Sequence, residues 1–297
     1  MKFLAGQAAA QLGNTLLIAD LHLAMEFELR QKGVQLGLQH RKLVSVLNGL
    51  LKETGARELL ILGDAKHDVY GMWERERRLF LEFLTRLECE QLTVVKGNHD
   101  SHLQTLPEEF QGKKFKLEPV EGVMREHGGK KYGLFHGHAW PSREILEKAD
   151  VFLLGHPHPL VEFRDKLGGV HRERAWVVGR TLANEKFGVR KGQQFVIFPA
   201  FNPLVGGQAI NAGEARWGEE SRGPLLHNNL LDIERAEVRL LSGASLGNVG
   251  SLRKFATDRS RGRAATLESQ GHASVSERRR ARGTRSTPSK RRHPPAL

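Results

Sequence analysis

Through the first half of the chain, short runs of apolar and β-branched residues alternate with stretches in which apolar positions recur every three or four residues. The first pattern predicts strands and the second amphipathic helices, and their alternation is the mark of an α/β sheet domain. Thr15 to Ala19 reads as a strand. From Arg41 to Lys52, Leu43, Val46, Leu47, Leu50 and Leu51 form a single apolar stripe, so a helix is predicted. Glu58 to Leu62 is the next strand, Leu79, Phe80, Phe83, Leu84 and Leu87 repeat the helical spacing, and Leu92 to Lys96 returns to strand. The elements then shorten, with strands predicted at Lys131 to Phe135, Val151 to Leu154, Trp176 to Val178, Gln194 to Phe198 and Glu237 to Leu241. Beyond about Phe255 the periodicity stops, and Arg, Ser, Gly, Ala and Pro dominate. Such a segment buries too little apolar surface to offset its ordering entropy, so 1–255 is expected to fold and 256–297 to be a disordered basic tail.

Composition changes this picture in three places. Cys89 is the only cysteine, which excludes an intrachain disulfide, points to a reducing, cytoplasmic setting and leaves His, Asp, Glu and Asn as candidate metal ligands. Ala8, Ala9 and Ala10 resemble a signal-peptide cleavage site, but Gln7, Gln11, Gly13 and Asn14 interrupt the apolar stretch; no export signal is read, and no apolar run is long enough to span a bilayer. The net charge of +12 is concentrated in the tail, since Leu252 to Leu297 holds 13 Lys and Arg against 3 Asp and Glu, leaving only +2 for the rest. The charge therefore says little about what the body binds.

Candidate chemistry lies where polar residues fall relative to the strands. Asp20 and His22 follow the first strand, Gly63 and Asp64 the second, and Gly97, Asn98, His99 and Asp100 the third; His136 and then Gly155, His156, Pro157 and His158 follow the next two. Loops beyond the carboxyl ends of strands are where open α/β sheets bind ligands. Carboxylate, imidazole and amide oxygen suit hard-to-borderline divalent cations, and one carboxylate, Asp64, can bridge two of them. Two such cations about 3.5–4 Å apart clamp a phosphoryl group and lower the pKa of a shared water. Glycines at Gly63, Gly97 and Gly155 let the chain turn so that the next side chain enters the cleft. Any one of these fragments alone is most often a turn or a surface histidine; all five in order are what carry the reading.

The series Asp-x-His, Gly-Asp, Gly-Asn-His-Asp, His and Gly-His-x-His resembles the calcineurin-like metallophosphoesterases. The resemblance implies an α/β fold of four layers, α-β-β-α, in which two sheets are flanked by helices. It implies Asp20, His22 and His158 at one metal, Asn98, His136 and His156 at the other, and Asp64 between them. Ala19 to Gly33, Gly63 to His67 and Phe198 to Asn211 also look like a small prokaryotic branch that includes DNA-ligase-associated and archaeal phosphoesterases. Ala24 stands where that branch would have Gly, and the basic tail has no counterpart.

The expected activity is two-metal hydrolysis of a phosphomonoester or phosphodiester, with a metal-activated hydroxide attacking phosphorus in line. His99 is expected over the leaving oxygen as general acid or electrostatic stabiliser, with Asp100 orienting its ring. Lys66, His67 and Asn202 are candidate substrate contacts, set against a plain loop. Phe201, Gly206 and Gly207 are candidates to wall the cleft, and His138 and Trp140 either line it or pack. Mn is the first expected metal, with Fe, Zn, Ni and Mg open. The alternatives are a nuclease or DNA-end processing enzyme, and a non-catalytic scaffold, which would be expected to carry damaged ligands. For the tail, Arg278, Arg279, Arg280, Arg282, Arg285, Lys290, Arg291 and Arg292 suggest weak nucleic-acid binding, against a functionless extension or a stretch that is not selected protein.

Overall fold

Parallel pairing in register is what organises the domain. The computed structural model describes residues 1–37, 39–212 and 222–256; the basic tail, its expected disorder and the readings of its charge lie outside the described residues. In the first half the order is β1 (Lys2–Phe3), β2 (Ala9–Leu12), β3 (Thr15–Ile18), α1 (Met25–Gln31), α2 (His40–Thr54), β4 (Glu58–Ile61), α3 (Glu74–Arg86), β5 (Gln91–Val95), β6 (Glu109–Phe110) and β7 (Lys113–Glu118). These strands form one sheet in the order β1-β2-β3-β4-β5-β7-β6. Its centre is parallel, with Ile18 level with Ile61 and Ile61 level with Val94.

The second half contributes β8 (Val123–His127), β9 (Lys130–Phe135), α4 (Arg143–Lys148), β10 (Val151–Leu154), β11 (Pro159–Arg164), β12 (Val170–Arg180), β13 (Gln194–Ile197), β14 (Gln208–Ala209), α5 (Gly223–His227), β15 (Glu237–Leu240), β16 (Ser245–Asn248) and α6 (Val249–Ala256). They build a second sheet, β14-β11-β12-β13-β10-β9-β8, with β15 on β12 and β16 on β15. Here too the centre is parallel, with Phe135 level with Leu154 and Leu154 level with Ile197.

The central strands are apolar on both faces, and alternate residues enter different layers. Leu16, Ile18, Leu59 and Ile61 pack with Leu43, Leu47, Phe80 and Phe83 of α2 and α3. Their neighbours Leu17, Leu60 and Leu62 turn the other way and meet Leu134, Leu153, Trp176 and Val196 of the second sheet. Beyond that sheet, Phe152, Leu154, Phe195 and Ile197 pack with Ile145 of α4, Leu225 of α5 and Leu252 of α6. The result is the four-layer α-β-β-α sandwich. Each fully buried Leu, Ile or Phe contributes about 1.5–3 kcal/mol, so these three layers are where the fold is stabilised. Cys89 is buried and unbonded. Among the described residues, no helix is long and apolar enough to cross a membrane.

Candidate metal centre

Because β3 and β4 end level and β5 runs one residue further, the residues after Ile18, Ile61 and Val95 emerge together at one edge, and the in-register ends of β9 and β10 bring His136 and Gly155 out at the matching edge of the other sheet. The loops are then tied to each other: Asp20 N–H donates to Gly63 O at 3.2 Å, His22 N–H to Asp64 O at 2.8 Å and Gly155 N–H to His136 O at 2.9 Å. Asp20, His22, Asp64, His156 and His158 all have left-handed backbone, with φ of 54°, 43°, 52°, 77° and 45°. For residues carrying a Cβ that conformation is costly, and clusters of it accompany functional sites.

Gly97 and Gly155 serve close approach rather than a turn. A Cβ at Gly97 would fall 2.2 Å from Asp64 Oδ1, and one at Gly155 would fall 2.7 Å from Asp20 Oδ2. At Gly63 both reasons apply, since its φ is 78° and a Cβ would meet the His136 ring at 2.3 Å.

The side chains converge in two groups that share one carboxylate, Asp20, His22, Asp64 and His158 in the first and Asp64, His136 and His156 in the second. His136 Nε2 lies 3.2 Å and His22 Nε2 3.5 Å from Asp64 Oδ2, and His158 Nε2 is 3.2 Å from Asp20 Oδ1. Asn98 Oδ1 joins the second group, 3.1 Å from His136 Nε2. His136 Nδ1 donates to Leu62 O at 2.8 Å and His158 Nδ1 to Gly206 O at 3.0 Å, which directs each Nε2 toward the carboxylates.

Electrostatics follow from the burial. Burial is the largest influence on His22 and pushes its imidazole down to about 3, keeping it neutral as a ligand must be. For Asp64, burial favours the neutral acid, but the imidazoles of His136, His22 and His99 outweigh it and hold the carboxyl well below the usual range. His136 is opposed by burial yet raised by Asp64, Asp20 and the Leu62 carbonyl to about 9, so a proton stands there when no cation does.

The donor set fits divalent metal. Carboxylate and imidazole groups face each other, yet the buried His22 Nε2 has no hydrogen bond, and His158 Nε2 meets only Asp20 Oδ1 at 3.2 Å. A cation held by these groups would satisfy atoms that are otherwise costly to bury. A family model described as calcineurin-like phosphoesterase matches residues 13–234, a span that contains every one of these side chains. The chain belongs to the calcineurin-like phosphoesterase family.

Solved structures of phosphoesterases align with the chain at low identity. A nuclease, MPE, from Pseudomonas putida aligns at 17% identity over 77% of this chain and 85% of its own, with a TM-score of 0.46. YfcE, a phosphoesterase from E. coli, aligns at 16% identity over 78% and 96%, with a TM-score of 0.34. An archaeal phosphodiesterase aligns at 15% identity over 51% and 78%, with a TM-score of 0.30. No curated protein matches significantly.

Around the phosphoesterase centre several side chains sit otherwise than the sequence suggests. His99 lies beside the cluster, its Nε2 3.9 Å from Asp64 Oδ2, and its backbone N–H donates to Asp64 Oδ1 at 2.9 Å. Its ring is oriented by a contact from Nδ1 to the His67 carbonyl, not by Asp100. The Asp100 carboxylate is instead occupied by backbone, accepting from Ala65 N–H at 2.9 Å, Lys66 N–H at 3.4 Å and Gly97 N–H at 2.8 Å. It fastens two ligand loops together.

Lys66 and Asn202 are likewise corrected from substrate contacts to internal fastenings. Lys66 is fully buried and its Nζ donates to the carbonyls of Asp68 and Gly71. Asn202, also buried, donates from Nδ2 to Leu21 O at 3.1 Å and His22 O at 3.4 Å. Gly206 and Gly207 back the His158 loop, and a Cβ at Gly207 would strike His158 O at 1.9 Å. Trp140 packs on Phe187, with ring centroids 4.6 Å apart, while His138 lies 5.1 Å from His136, ring to ring.

His67 does reach the site. Its Nδ1 is 3.2 Å from His22 Nδ1 and its Nε2 is 2.5 Å from Glu28 Oε2. Were His22 Nε2 to hold a cation, its proton would stand on Nδ1 and donate to His67, whose own Nε2–H would donate to Glu28. Glu28 carries no motif signal in the sequence; only its place on α1, one turn past the Asp20 loop, marks it.

Proposed function

We propose that this phosphoesterase hydrolyses a phosphomonoester or phosphodiester with two divalent cations, Mn first among them. Asp20, His22 and His158 would hold one and Asn98, His136 and His156 the other, with Asp64 shared. The observation that carries the reading is the pair of donor groups meeting at one buried carboxylate. The cations, when bound, supply an activated water and positive charge against the phosphoryl oxygens.

The chain's own residues do the rest. The backbone N–H of His99 donates to Asp64 Oδ1 and so fixes the carboxylate between the two groups. His99, anchored at Nδ1 by the His67 carbonyl, presents Nε2 at the edge of the cluster, where it delivers a proton to the leaving oxygen. Asp100 and Asn202 keep the loops from drifting. A cytoplasmic setting suits a chain whose one thiol, Cys89, is buried.

The test is hydrolysis of a chromogenic monoester, a chromogenic diester and single-stranded DNA by metal-stripped protein refilled with Mn. Turnover is expected only with metal, lost in Asp64→Asn and lowered about 10²–10⁴-fold in His99→Ala. The preferred ester sorts phosphatase from diesterase or nuclease. Wild type that binds Mn yet turns over none of the three would overturn the proposal and favour a scaffold.

A further inference from the structure

Next to the metal centre opens a cavity of about 440 Å³ whose inner wall is His67 and His99 and whose outer parts are Phe27, Val69, Tyr70 and Trp73. The two histidine rings are stacked, 19° apart in plane. Tyr70 and Trp73 are 92% and 70% exposed, an uncommon state for large aromatic side chains. Since His99 belongs both to this cavity and to the edge of the donor cluster, whatever is attached to an oxygen leaving past His99 enters the cavity.

The loop that carries the aromatic pair is held from within. Buried Lys66 grips the carbonyls of Asp68 and Gly71, and Glu76 Oε1 accepts from the backbone N–H of His67 at 3.3 Å and Asp68 at 3.2 Å. Asp68 accepts from Tyr70 N–H at 2.8 Å through one oxygen and from the Trp73 indole at 3.0 Å through the other. The loop backbone and the Trp73 indole are pre-set, which lowers the ordering cost for a ligand to meet.

Charge narrows the ligand. Glu28, Asp68 and Glu76 line the cavity against one guanidinium, that of Arg75, which already lies 3.9 Å over the Phe27 ring. Glu28 and Glu76 are further paired with Lys32 and Lys66, so the lining offers little free charge to a ligand, and its exposed aromatic faces are stacking partners for a flat uncharged group.

We infer that this cavity is the leaving-group subsite of the phosphoesterase centre and that it selects esters whose leaving alcohol carries a planar aromatic group, an aryl ring or a nucleobase. The inference rests on the hydrolytic reading above. In the reaction the bond from phosphorus to that oxygen breaks, water supplies the new bond, and the alcohol departs with a proton while its ring occupies the cavity.

The experiment compares kcat/KM for phenyl phosphate, adenosine monophosphate and glycerol phosphate, each offered also as its methyl diester, in Mn-loaded wild type, Trp73→Ala and Tyr70→Ala. Both variants are expected to lose about tenfold more on the aromatic esters than on the glycerol ester, chiefly through KM. Selective loss on phenyl esters alone assigns an aryl source, and loss on both an aromatic ring in general. Equal losses on all three esters would overturn the subsite while leaving hydrolysis standing; no turnover of any ester by wild type would instead remove the hydrolytic reading. Tyr70 makes no side-chain hydrogen bond among those of its loop, so its variant tests the subsite without disturbing the fastening through Trp73 and Asp68.

Discussion

At the scale of single residues the centre depends on polar atoms that never meet substrate. Asp100 gathers three backbone N–H groups from two loops. Replacing it by the isosteric Asn turns an NH₂ group toward a backbone donor. Asp100→Asn is therefore expected to cost about 2 kcal/mol in chemical denaturation, although no volume is lost. Ala24 makes the opposite case. It precedes α1 with φ 76° and ψ 8°, left-handed backbone that penalises a Cβ by about 1–2 kcal/mol. The greater freedom of glycine in the unfolded chain takes back part of that, so Ala24→Gly should raise stability by about 0.5–1 kcal/mol, read as a higher urea midpoint at unchanged slope. The Gly expected at this position from the family branch has this backbone as its physical reason.

At the scale of elements, the glycine-led loops convert strand register into coordination geometry. Gly97→Ala places a methyl group where Asp64 Oδ1 now lies. The variant should fold, since its loop lies at the sheet edge, but metal affinity measured by titration calorimetry should fall about 10–100-fold. This geometry was legible in the sequence to the extent that the central strands were. Their double-faced apolar runs and the polar residues after them mark β3, β4, β5, β9, β10 and β13 within a residue or so, and with them every donor of the cluster. The edge strands were not legible. In β7, Lys113–Glu118, only Phe115 and Glu118 are buried, and the small residues of β2 that resemble a cleavage site are buried by pairing with β3. Neither pattern declares a strand without its neighbour. For the same reason Lys66 and Asn202 read as substrate contacts and Asp100 as a support for the His99 ring: their partners are backbone carbonyls and amides brought near by tertiary structure, which leave no trace in side-chain spacing.

At the scale of the whole domain, the donors are divided between the two sheets. Asp20, His22, Asp64 and Asn98 follow strands of the first, and His136, His156 and His158 follow strands of the second. Metal at about a hundred times its dissociation constant stabilises the folded state by about 2.7 kcal/mol. For a domain of this size that corresponds to about 5–10 °C in melting temperature. Calorimetric scans of stripped and Mn-refilled protein should show that rise, reversed by chelator, and reduced in His136→Ala as well as in His22→Ala because each change removes one donor, the first from the second sheet and the other from the first.

That division has a consequence for when the chain becomes reactive. No half of the sandwich owns a complete ligand set, so a nascent or damaged chain with one sheet formed holds only part of either donor group. If the centre holds cations as proposed, full coordination would mark finished assembly, and a molecule that springs open would part its donors at the same moment as it loses its shape.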